Sequence, residues 1–167
     1  MPELLLLTSY LSPSILVETI TGSQEMNGLT VLRDYYTVKL HDTDSAGILF
    51  FANQFKIAHD IYELFLKRIG FGLAERFAGR DFFLPIVHAE ADFSQPLTVG
   101  DTIEIALSVA EIGRSSFVLE YELTNLDGIS VGAARTVHVT TDPATRKKID
   151  LPEGFRKKLE EAKKGSI

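Results

Sequence analysis

The hydrophobic pattern of this chain changes period around one segment, and that change limits the folds open to it. Residues 53–69 carry Phe55, Ala58, Ile61, Tyr62, Phe65, Leu66 and Ile69 at spacings of three and four, which predicts an amphipathic helix. Asn53 is the expected N-cap, and Gly70 and Gly72 are the expected stop signals. On either side the spacing falls to two. Residues 34–41, DYYTVKLH, predict one strand before the helix. Four strands are expected after it. Residues 85–94 form the first, ending ahead of Pro96. Residues 101–112 put Ile103, Ile105, Leu107 and Val109 on one face, and residues 115–125 do the same with Phe117, Leu119, Tyr121 and Leu123. Residues 130–141 follow the turn Asn125-Leu126-Asp127-Gly128. Loops of a few residues join the last three runs, which makes them antiparallel neighbours. Residues 152–164 predict a charged C-terminal helix. An antiparallel sheet needs one apolar face covered, and the long helix is the obvious cover. The prediction is an α+β fold, a sheet wrapped around one central helix, with strand edges free to pair across a dimer.

The 167 residues suit one domain, and 45% hydrophobic residues suffice for a packed core. With no cysteine, disulfides, thiolate catalysis and Cys-based zinc sites are excluded. That fits a reducing compartment, and the expected location is cytoplasmic. A formal charge of −6 with no obvious basic face argues against nucleic acid as a partner. The first 28 residues are apolar, but they lack the basic start of a signal peptide and are interrupted by Pro13, too broken to insert in a membrane. The expected organisation is an appendage at 1–30, one main domain at 31–150 and a C-terminal helix at 151–167. Translation from Met26 is an alternative origin for the appendage.

The stretch His41 to Phe55, HDTDSAGILFFANQF, places two acids beside a glycine just ahead of the helix. Taken alone, Asp42 and Asp44 read as turn acids. A calcium loop fails here: its fifth position is Ala46, its twelfth is Asn53, and the preceding segment reads as strand. A carboxylate near free helix N-terminal amides is suited to chemistry on a carbonyl.

Asp42, Asp44, Gly47, the run Ile48–Phe51, Asn53 and Phe55 resemble the D-x-D-x-x-G-[IV]-[VL]-[FYW]-[FY] signature of the hotdog-fold 4-hydroxybenzoyl-CoA thioesterase family. The resemblance covers roughly residues 33–150. FANQF, His59 and Glu63, and DFFLPIVHAEADF are similar to the 1,4-dihydroxy-2-naphthoyl-CoA hydrolases of menaquinone and phylloquinone biosynthesis. The resemblance implies hydrolysis of an aromatic acyl-CoA by a homodimer or homotetramer. It implies no metal or redox cofactor, coenzyme A being part of the substrate. It makes Asp44 the catalytic carboxylate, by direct attack or by activating water. Gly47 allows close backbone approach, and the Phe51 amide is the implied oxyanion donor. Asp42 is left to order the loop.

His59 and Glu63 share one helix face at i, i+4, with no HExxH pattern. They read as a surface pair or as a contact to the acyl group. The family's acidic ring contact falls near His59, and a histidine there could instead hydrogen-bond a ring hydroxyl. His88 reads as a satisfied structural histidine, and His41 and His138 receive no role. Arg114, flanked by Gly113 and Ser115 and followed by Ser116, occupies a turn that carries coenzyme A phosphate contacts in the family. Arg146, Lys147 and Lys148 form a second basic cluster, either solvated or drawn to the nucleotide. Phe50, Phe51, Phe55, Phe82, Phe83 and Phe93 are expected mostly in the core, with one or two lining an acyl pocket. A short-chain or 4-hydroxybenzoyl-type thioesterase, a non-catalytic acyl-CoA binding module and a dehydratase on the same fold are the alternatives. No histidine follows Asp44 in the loop to support the last.

Overall fold

A computed structural model describes residues 32–72 and 81–165. The appendage expected at 1–30 lies outside the described residues. Strand β1 (Leu32–Thr37) is followed by a 3-10 turn at Leu40–Asp42, helix α1 (Phe51–Arg68), strands β2 (Ile86–Phe93), β3 (Thr102–Ile112), β4 (Ser116–Asn125) and β5 (Ser130–Val139), and helix α2 (Glu153–Lys163). The five strands form one antiparallel sheet in the order β1-β3-β4-β5-β2.

The apolar periods produce this arrangement directly. Ile57, Ala58, Ile61, Tyr62, Phe65 and Leu66 form the buried stripe of α1. Ile103, Ile105, Leu107 and Val109 of β3 and Phe117, Leu119, Tyr121 and Leu123 of β4 alternate onto the same side, and all join that stripe in one core. Phe155, Leu159 and Ala162 of α2 close the core at the far end, with the Phe155 ring edge-on to Phe117. Gly70 takes φ +81°, the left-handed turn that ends α1.

Two element boundaries differ from expectation. The first strand ends at Thr37 rather than running to His41, because the Asp42 carboxylate accepts the Lys39 N–H and draws the chain into the 3-10 turn. The N-cap of α1 is Phe50, not Asn53, which sits inside the first turn and donates its side-chain amide to the Asp42 carbonyl at 2.8 Å.

Candidate active site

Asp42 and Asp44 occupy opposite environments. The Asp42 side chain is buried. Its Oδ2 accepts from the Tyr36 hydroxyl at 2.7 Å and the Lys39 amide at 2.8 Å. Burial alone pushes the Asp42 carboxyl up. The Tyr36 and Lys39 hydrogen bonds, with the His41 and Lys56 charges, outweigh it and hold the group below the usual carboxylate value. Burial and the Asp42 hydrogen bond push the Tyr36 phenol up to about 12, so it stays a donor. The Asp42 carbonyl also accepts the Phe50 N–H. Asp42 thus orders the loop, as the sequence reading assigns it.

Asp44 is exposed, at the corner of a tight hairpin. Its N–H donates to the Ile48 carbonyl and its carbonyl accepts from Gly47 N–H, while Oδ1 accepts the Ala46 N–H at 2.8 Å. Gly47 turns the chain at φ +77°, a conformation that L side chains rarely adopt. The hairpin delivers the chain to α1 with Phe50 as a cap that offers no side-chain acceptor, and no acid lies in the first turn. The Phe51 and Ala52 N–H groups therefore have no acceptor among the described residues. The positive end of α1 is left open to an anion.

Asp44, Phe51 and Gln54 line a cavity of about 380 Å³ with Ile48, Leu49 and Phe50 on one side and the segment Phe93–Leu97 on the other. Gln54 is a residue that sequence reasoning missed. Its buried amide donates to the carbonyls of Asp92 and Ala133. The available signal was a glutamine lying on an apolar helix stripe.

The other candidates are placed elsewhere. His59 and Glu63 face each other at 3.4 Å on the exposed side of α1, more than two turns past Phe51, and do not line this cavity. Arg114 is exposed and paired with Asp150 at 3.2 Å, and Ser115 and Ser116 are half-buried beside it. The Arg146 guanidinium lies over the Phe83 ring at 4.6 Å, so this arginine is held rather than simply solvated. His88 is not a structural core histidine: it lies exposed on β2 within 3.2 Å of Glu90. His138 is buried in the core, bonded to the Thr136 hydroxyl, and burial, with the His59 charge, pushes its imidazole down to about 3. The phenylalanines also depart from expectation. Phe50, Phe51 and Phe93 are exposed and line the cavity, while only Phe82 of the six is buried in the core. Among the described residues no group of three or more His, Asp or Glu side chains converges on a metal position. No helix among them is long and apolar enough to cross a membrane.

A carboxylate at the rim of an aromatic cavity, beside the open N-terminus of the central helix, can act on a carbonyl. The model of the thioesterase-like superfamily matches residues 38–159 of this chain. The chain belongs to that superfamily. This thioesterase-like chain is 38% identical over 119 residues to a 1,4-dihydroxy-2-naphthoyl-CoA hydrolase from Microcystis aeruginosa, a match covering 71% of this chain and 86% of that one. It is 39% identical over 124 residues to a hydrolase of the same name from Nostoc punctiforme, covering 74% and 83%. The crystal structure of a 1,4-dihydroxy-2-naphthoyl-CoA thioesterase from Synechocystis superposes with a TM-score of 0.72 at 29% identity, covering 77% of this chain and 95% of that one. These likenesses extend the hotdog assignment from the signature loop to the whole sheet-and-helix unit.

Proposed function

We propose that this chain is a cytoplasmic thioesterase that hydrolyses 1,4-dihydroxy-2-naphthoyl-CoA in quinone biosynthesis. One observation carries the reading: Asp44 shares a cavity walled by Phe50, Phe51 and Phe93 with the uncapped start of α1. The relatives' names supply the acyl group. The cavity's size and aromatic lining suit a flat aromatic acyl group.

Hydrolysis adds water across the thioester, giving a carboxylic acid and a thiol. Asp44 either attacks the carbonyl carbon, forming a mixed anhydride that water then cleaves, or takes a proton from the attacking water. In both routes the carbonyl oxygen gains charge, and the Phe51 N–H is the donor that stabilises it. The C–S bond breaks as this tetrahedral intermediate collapses, to the anhydride in the first route and to the acid in the second, and the thiolate of coenzyme A leaves and takes up a proton. Arg114, Ser115 and Ser116 bind the phosphates of coenzyme A, aided by Arg146, Lys147 and Lys148. His59 and Glu63, which do not line this cavity, are left out of the acyl contact. The protein works as a homodimer or homotetramer paired through β2.

The test is an acyl-CoA panel assayed with the wild type and with Asp44→Asn. The expected result is preference for the naphthoyl thioester and a loss of at least ~10²-fold in kcat in the variant. Unchanged turnover in the variant removes Asp44 from the mechanism. Equal rates on aliphatic and naphthoyl thioesters overturn the substrate assignment, and no turnover of any thioester by the wild type favours a binding module.

A further inference from the structure

We infer that Gln54 is a positioning residue for hydrolysis, an amide pin that fixes the spacing between the two walls of the cavity. The inference rests on the thioesterase reading above. Its ground is the packing around one side chain.

Gln54 lies one turn ahead of Ile57 and Ala58 on the buried stripe of α1, and is itself only 2% exposed. A helix that only had to pack on a sheet is served at this position by Leu or Met. A buried amide is tolerated there only if its polar atoms are paired. Gln54 Nε2 donates to the Asp92 carbonyl at 3.1 Å and to the Ala133 carbonyl at 2.8 Å. Asp92 and Ala133 are cross-strand partners of β2 and β5. One side chain therefore joins the first turn of α1 to both strands at the end of the sheet.

The neighbouring backbone is shaped for this contact. A Cβ on Gly132 would stand 2.8 Å from the Asp92 carbonyl and 3.1 to 3.2 Å from the Gln54 amide atoms. Only glycine lets helix, amide and edge strand come this close.

The consequence reaches the chemistry through geometry. Phe51, which carries the open N–H, lies in the same helical turn as Gln54. Phe93 follows directly after Asp92 and forms the opposite wall. Asn53 and the Phe50 N–H tie the helix start to the Asp42 carbonyl on the loop side. Gln54 supplies the matching tie on the sheet side. Among the described residues, edge strand β2 has a hydrogen-bonded neighbour strand only in β5, so without Gln54 this end of the strand loses a tie to the helix. Displacement of an aligned group by about 1 Å can cost ~10²-fold in rate.

Gln54→Met tests this, because methionine keeps the length, the helix propensity and most of the buried volume while removing the donors. The expected result is a kcat lower by ~10- to 10²-fold with KM within about threefold, since coenzyme A is held elsewhere. Amide hydrogen exchange without substrate is expected to quicken at residues 92–94 and 55–56, and to stay unchanged in α2. Wild-type kcat in the variant overturns the inference. A lowered kcat accompanied by faster exchange throughout the molecule also overturns it, by reducing Gln54 to a general stabiliser. Asp44→Asn run in parallel separates the two claims. If Asp44→Asn is inactive and Gln54→Met is not, the thioesterase reading stands and the pin falls. If the wild type cleaves no thioester, both the thioesterase reading and the catalytic role of the pin fall.

Discussion

Two carboxylates two positions apart sit in opposite surroundings. Asp42 is enclosed by donors, whereas Asp44 spends one oxygen on its own turn and faces the cavity. Asp42→Ala leaves the Tyr36 hydroxyl and the Lys39 N–H without their acceptor, and is expected to cost about 2–3 kcal/mol in urea unfolding. The pH dependence has a definite sign. The folded-state value of Asp42 lies below the ordinary value of 3.8, so its charged form stabilises the fold above that value. The contribution disappears as pH falls below about 4. The stability gap between wild type and Asp42→Ala is therefore expected to narrow on acidification from pH 6 to 3. Asp44→Asn, on an exposed turn, is expected to unfold within about 0.5 kcal/mol of the wild type, so its loss of activity is chemical. The residue types announced an acidic turn; which acid is buried follows from Tyr36, six positions upstream, whose hydroxyl reaches back only once the chain has turned.

At the scale of the element, α1 departs from ordinary helix design at its N-terminus. Its cap is a phenylalanine and its first turn holds no acid, although a capping side chain at such a position is worth about 1 kcal/mol. That stabilisation is forgone where the open amides are proposed to bind an oxyanion. Phe50→Asp is expected to raise stability by up to about 1 kcal/mol and to lower kcat, because the new carboxylate occupies the amides. Thermal unfolding and turnover measured together check this; a stabilised variant with full activity removes the helix N-terminus from the mechanism. The body of α1 was legible in its period of three and four. Its start was not, since Asn53 looks like a cap and Phe50 carries no signal of being one. The phenylalanines were misplaced for a related reason. Hydrophobicity marks Phe50, Phe51 and Phe93 as core, and only the folded pocket edge shows them exposed.

Across the molecule, the sheet formed by the described residues leaves two edges, β1 and β2, and they are unequal. β1 reads LRDYYT, while β2 reads IVHAEADF and exposes Ile86, Val87 and Phe93. An exposed apolar edge is a template for pairing, and the cavity opens beside it. Sedimentation is expected to find the protein at a multiple of the chain mass, with Val87→Lys shifting it toward the monomer and lowering kcat; a fully active monomer overturns the pairing. The antiparallel run β3-β4-β5 was legible because short loops enforce it. The placing of β2 beside β5 and of β1 beside β3 was not, since pairing across many residues leaves no local period. Periodicity and turn chemistry act over a few residues, and they were enough to mark the elements, the faces they bury and the acidic loop before the helix. Folding added which acid is buried, which phenylalanines face the cavity and that Gln54 bridges helix and edge strand. The last two depend on groups far apart in the chain meeting across the core, and the first on a turn that brings Tyr36 onto Asp42, so in each case packing sets the hydrogen bonds and the exclusion of water.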